Sequence, residues 1–176
     1  MDDKQFWAII ESAGPAPDEP ARQLAAVRAA LRKLAPQEVR DFHRIFDERM
    51  GDAYTWDLWG AAYVINGGCS DDGFHAFRCW LIGMGREVYE KALANPDSLA
   101  DVLTGEWPCE AELDAAPPRA WEEKTGRTDA EFYAELDRLN GARSEGDEGE
   151  DWDFDDDEEI RRRFPRLSGL YLQDEE

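Results

Sequence analysis

Residues 54–102, YTWDLWGAAYVINGGCSDDGFHAFRCWLIGMGREVYEKALANPDSLADV, decide the fold. An apolar run from Leu58 to Ile65 meets Asn66-Gly67-Gly68, then Ser70-Asp71-Asp72-Gly73, and a second apolar run follows from Phe74 to Met84. Asn and Gly accept the left-handed backbone that ends a helix. Ser70 is a natural N-cap for the next helix, and Asp71 and Asp72 sit where its dipole favours negative charge. The stretch therefore predicts a helix, a tight polar corner and a second helix. Thr55 caps the first of these, which has no polar face over Leu58, Trp59, Ala62, Tyr63 and Ile65, and a helix apolar all round belongs at the centre of a fold.

Working outward, upstream residues repeat the helical period. Phe6, Trp7, Ile9, Ile10 and Ala13 form one stripe; Leu24, Val27, Leu31 and Leu34 form another after a cap at Asp18; Val39, Phe42, Ile45, Phe46 and Met50 form a third opened by Pro36. Downstream, Val88, Tyr89 and Leu93 continue to Asn95-Pro96. Glu110 to Ala115 and Ala120 to Lys124 read as helical pieces held apart by Pro117-Pro118, because proline cannot lie inside a regular helix. Thr128 with Glu131 is a capping box opening a helix with Phe132, Leu136 and Leu139 on one face. Asn140 to Asp151 lacks large apolar residues and reads as an acidic flexible linker. Trp152 and Phe154 are aromatic anchors, and Asp155 to Glu159 ahead of Arg161, Arg162 and Arg163 is the charge order a helix dipole favours. Phe164-Pro165 closes that helix, and the tail SGLYLQDEE (168–176) is expected to fray. No segment alternates strictly, so the expected class is all-α: a single compact domain of about seven to nine helices around a central helix-corner-helix pair. The expected division is 1–139 for the domain, 140–151 for the linker and 152–176 for a C-terminal segment that docks back.

The chain has 176 residues, with 41 acidic against 20 basic side chains and a net charge of -21. That balance disfavours direct binding to nucleic acid and docking on an anionic membrane, both of which need Lys/Arg clusters. It suits a basic protein partner. Three cysteines in no framework spacing point to reduced thiols and a cytoplasmic location. No run approaches the roughly 18 apolar residues of a membrane span, and the N-terminus lacks the features of a secretory leader. Sixteen Arg against four Lys fit a bacterial coding bias.

The segments INGGCSDDGF (residues 65–74), REVYE (86–90) and NPDSL (95–99), with the opening Phe6-Trp7, carry a resemblance. The chain resembles the bacterial family catalogued as domain of unknown function 4240, and the terminal WDFDD (152–156) with its Arg run is similar too. The resemblance implies a common domain and no established activity.

The corner from Asn66 to Gly73 is where a site would sit. Its backbone amides can hold a polar group, while Asp71 and Asp72 turn the preference from phosphate toward a cation, an amine or a guanidinium. The candidate binding residues are Asn66, Ser70, Asp71, Asp72, His75 and Arg78, with Asp57 and Arg86 behind them. The bland reading of the same corner is a sharp turn in which glycine serves the backbone, serine the cap and aspartate the dipole. His75 and Cys79 share a helix face, and Cys69 lies just upstream. Cys-x5-His-x3-Cys, even with Cys109 or His43, matches no recurrent zinc spacing, so no metal site and no cofactor are expected. No nucleophile motif surrounds Ser70 or the cysteines. Trp56, Trp59, Tyr63, Phe74, Phe77 and Trp80 are core aromatics at helical spacing, part of which can line a groove. The acidic run from Glu145 to Glu159 is not an EF-hand, because Asp156 and Arg162 stand where glycine and glutamate are required. The expected function is a non-catalytic cytosolic binding or regulatory module that engages a protein partner through the Asn66–Arg78 corner and the acidic surface. The alternatives are a small metal-dependent hydrolase or transferase using Asp71 and Asp72, and an acidic nucleic-acid mimic or toxin-neutralising protein.

Overall fold

The computed structural model describes residues 1–15, 19–103, 109–139 and 149–172. The helices run in the order α1 (Asp3–Ala13), α2 (Pro20–Leu31), α3 (Pro36–Asp52), α4 (Trp56–Asn66), α5 (Asp71–Gly83), α6 (Arg86–Ala94), α7 (Ala116–Thr125), α8 (Asp129–Leu139), α9 (Asp157–Arg163) and α10 (Pro165–Tyr171). Two 3-10 helices, Pro96–Asp101 and Leu113–Ala115, lie between α6 and α7. The described residues contain no strand, and the class is all-α.

Local chemistry starts and stops these helices where the sequence places the signals. Asp2 and Gln5 form a reciprocal capping box on α1. Thr55 Oγ1 accepts the Leu58 amide on α4, and Ser70 Oγ accepts the Gly73 amide on α5. Thr128 and Glu131 exchange amide bonds at the start of α8. Gly67 turns left-handed at φ 66° and closes α4. The Asp18 cap, and the linker reading up to residue 148, fall outside the described residues.

Two expectations based on proline are corrected, for one reason. Pro117-Pro118 does not separate two pieces of helix; both prolines lie in the first turn of α7, where a missing amide costs nothing and a fixed φ helps. Phe164-Pro165 does end α9, but Pro165 also opens α10, so residues 168–171 are helical and not a frayed tail. With these openings the described residues hold ten α-helices, besides the two 3-10 helices.

One continuous core forms around the α4–α5 corner. Phe74 and Phe77 are fully buried, and Trp59 stacks on Phe74 with ring centroids 4.9 Å apart and planes within 11°. Each such fully buried large side chain contributes on the order of 1.5–3 kcal/mol. The outer side of α4, formed by Trp56, Trp59 and Tyr63, is covered by Trp152 and Phe154. Phe154 lies 4.9 Å from Trp56 and 5.6 Å from Tyr63, and the Trp56 indole N–H donates to the Trp152 carbonyl at 2.8 Å. Gly60 makes this approach possible, since a Cβ there would lie 2.2 Å from Trp152 Cζ2. Two buried polar residues fasten distant elements. Gln23 donates to the carbonyls of Gly14 and Gly83 at 2.8 and 2.6 Å. Asp97 accepts the backbone amides of Arg166 and Leu167, so it caps α10 from across the fold.

Candidate functional site

The corner is built as the sequence implies, and its residues then part company. Ser70 is spent on its cap. Asn66 Oδ1 accepts the Cys109 amide at 3.1 Å, which ties the corner to the chain leading into Leu113–Ala115. Asp71 and Asp72 are exposed in the first turn of α5 and make no ion pair among the described residues.

Arg78 does not reach the corner's surface. It is only 9% exposed, donates through Nη1 to the Met50 carbonyl at 2.8 Å and through Nε to the Phe74 carbonyl at 3.3 Å, and lies over the Tyr54 and Phe74 rings. Its cation therefore neutralises the C-terminal end of α3, with burial pulling its pKa below the ordinary arginine value. Asp57 also faces inward chemistry: Oδ1 accepts the Trp152 indole N–H at 3.0 Å and pairs with Arg163 at 2.8 Å, an arginine lying 5.1 Å over the same indole. Arg86 is elsewhere, pairing with Glu90 and Asp3 to hold α6 against α1. Of the eight candidates, Asn66, Ser70, Asp71 and Asp72 make up the corner itself, while Arg78, Asp57 and Arg86 are structural ties.

His75 joins a group of its own. Its Nε2 lies 3.0 Å from Asp114 Oδ2, and Cys79 lies one turn further along α5. One ligand atom from each of His75, Cys79 and Asp114 falls within 4.8 Å of the others. Asp114 has no local signal in the sequence, standing 39 residues from His75; only the packing of Leu113–Ala115 against α5 brings it there. Cys69 and Cys109 are not members of this group.

The thiols are poor nucleophiles. Burial pushes Cys69 up to about 11 and Cys109 up to about 12, with Glu110 adding to both, and burial holds Cys79 higher still. Reactive cysteines need the opposite surroundings, a nearby positive charge and access to solvent.

The acidic segment near the C-terminus is also largely committed to the fold. Asp155 accepts the Tyr63 hydroxyl at 2.6 Å, Asp156 caps α9, and Glu159 pairs with Arg162 and Arg163. No helix among the described residues is long and apolar enough to cross a membrane.

Fold and corner together define an all-helical domain whose central turn is closed by its own caps and exposes Asp71 and Asp72. The chain belongs to the family described as Protein of unknown function (DUF4240), whose model matches residues 1–123. That match takes in α1 to α6, the corner and most of α7, and it ends before the WDFDD segment. No curated protein and no solved structure matches the chain.

Proposed function

We propose that this chain is a non-catalytic cytosolic binding or regulatory module that engages a basic protein partner through the acidic face around the corner. The observation that carries the reading is the adjacent pair Asp71 and Asp72: both are exposed and lack an ion pair among the described residues, in a chain of net charge -21. The large apolar side chains are meanwhile turned inward, with only Tyr133 and Leu170 exposed among the described ones. Recognition by such a surface is electrostatic, so it governs the association rate and weakens with salt. Protonated thiols and a Ser70 hydroxyl committed to capping support the non-catalytic half of the reading. A metal-dependent hydrolase using Asp71 and Asp72 draws no support, because the described metal-ligating group contains neither residue. A mimic built on the acidic run draws little, since Asp155, Asp156 and Glu159 already hold hydrogen bonds or ion pairs within the chain.

The test is affinity capture from a bacterial lysate with wild type and Asp71→Asn/Asp72→Asn side by side, followed by calorimetry with each purified captured protein. The reading requires a basic protein whose binding weakens in the double variant and with added salt, while helical circular dichroism is unchanged. Binding indifferent to both, or metal-dependent turnover that disappears in the double variant, would overturn it.

A further inference from the structure

The His75, Cys79 and Asp114 group follows Asp71 by one turn on the same face of α5, but includes neither Asp71 nor Asp72, so it does not depend on the partner reading. We infer that these three side chains form a site for a zinc-class divalent transition-metal ion, with a fourth coordination position open to solvent.

The geometry carries this. His75 and Cys79 are four residues apart on α5 and so share one helical face. Asp114 reaches the same face from the 3-10 helix Leu113–Ala115, which is pinned by the Ala111 amide on the Ala76 carbonyl at 3.0 Å and by the wholly buried Leu113. The three ligands are layered. Cys79 is fully buried and forms the floor, while the side chains of His75 and Asp114, at 50% and 37% exposure, form the rim. With metal–ligand bonds of about 2.0–2.3 Å, a tetrahedral ion needs ligand atoms about 3.4–3.7 Å apart. The present group spans no more than 4.8 Å, with the imidazole and carboxylate already 3.0 Å apart. A bound ion would open the imidazole–carboxylate pair slightly and draw both groups toward the thiol, movements that fall on the two exposed side chains.

The donor set selects the ion. Thiolate sulfur and imidazole nitrogen suit zinc, whereas magnesium and calcium take oxygen cages. Three protein ligands leave the fourth position to water or to a group on another molecule, and its direction is outward because the floor is protein. Binding displaces the Cys79 proton to solvent, and the thiolate exchanges a weak contact with the Met50 sulfur at 3.9 Å for the metal. The thiol beneath the His75–Asp114 pair already contacts Asp114 as well as the Met50 sulfur, so all three side chains are in mutual reach.

The test uses the full chain, freed of metal by a chelator and titrated with Co²⁺ for absorbance and with Zn²⁺ for calorimetry. The expected result is one equivalent bound, with a thiolate-to-cobalt charge-transfer band. His75→Gln and Asp114→Asn should each weaken binding by about a hundredfold or more, while Cys69→Ser binds as wild type does. His75 and Asp114 carry the test because they are exposed and their loss leaves the core intact, which circular dichroism checks; Cys79→Ala is read only if it remains helical. Absence of binding, binding without the charge-transfer band, or binding unchanged in His75→Gln or Asp114→Asn overturns the site.

Discussion

Gly60→Ala gives the docking of the C-terminal segment on α4 a test whose sign is at stake. Gly60 lies inside α4, where alanine is the better helix former by about 0.8–1.0 kcal/mol. On propensity alone the substitution stabilises the protein. The structure opposes this, because the new methyl would sit 2.2 Å from Trp152 Cζ2, 2.5 Å from Cη2 and 3.3 Å from Phe154 Cε1. The indole cannot simply swing aside. Its N–H is held by Asp57, its face by Arg163, and its edges by Phe154 and Phe164 with centroids 4.9 and 5.8 Å away. Forcing a methyl into such a contact costs about 1–3 kcal/mol, and losing a hydrogen bond to a charged group costs about 1.5–3 kcal/mol more if the ring is expelled. Set against the propensity gain, the net expectation is a loss of up to about 2 kcal/mol with the ring in place and about 1.5–5 kcal/mol if it is expelled. Urea unfolding followed by circular dichroism reads the loss directly. The same substitution made in a Trp152→Ala background should recover the propensity gain, because the clash has gone. Gly60→Ala at or above wild-type stability, or an equal penalty in both backgrounds, would refute the close packing of Trp152 on α4.

Three further expectations follow from the contacts described. Asp97→Ala should cost about 1–3 kcal/mol by stripping α10 of its only cap, with faster hydrogen exchange at the Arg166 and Leu167 amides, whereas Asp97→Asn should cost less because one acceptor oxygen remains. Glu159 is held down to about 2 by Arg162 and Arg163, below its ordinary 4.5, so its contribution is present above the ordinary carboxyl range and fades as pH falls toward 2. The stability gap between wild type and Glu159→Gln should accordingly shrink over that window, and a gap that stays constant to pH 2 would contradict the pairing. Cys69, pushed up to about 11, is about one part in a thousand thiolate at pH 8, against about one in four for a thiol of ordinary pKa. Alkylation of Cys69 in the native chain should therefore be slower than in the urea-unfolded chain by about two-hundredfold, as mass spectrometry can follow.

The helix-corner-helix pair was legible because its instructions are local. A cap acts over three residues, a left-handed glycine over one, and an apolar face over two turns, so Thr55, Ser70 and Gly67 announce their roles without knowledge of the rest of the chain. Pro117-Pro118 misled, and Pro165 showed the end of α9 but not the start of α10, because a helix opener and a helix breaker are the same residue, distinguished only by whether a helix follows. The candidate site was less legible. Arg78 looks like a surface cation in one dimension, and what buries it is the end of α3, whose Met50 carbonyl is 28 residues away. Asp57 looks like a first-turn acid until Arg163 arrives from 106 residues along the chain. Asp114 had no local mark at all, since it becomes a neighbour of His75 only through tertiary packing. Periodicity reveals which face of a helix is buried and is silent about which distant residue covers it.

The borrowed cap on α10 has a consequence for the order of events during synthesis. A helix that supplies its own cap can begin to form as soon as its residues are made. This one must first dock on the Pro96–Asp101 turn, because its capping carboxylate belongs to residues made some seventy positions earlier. Translation at about 5–20 residues per second separates Val102 from Trp152 by about 3–10 s. Throughout that interval the aromatic flank of α4 is complete but uncovered, and it meets water, ribosome and chaperones before it meets Trp152 and Phe154. The segment from Trp152 to Tyr171 thus acts as a latch that closes last.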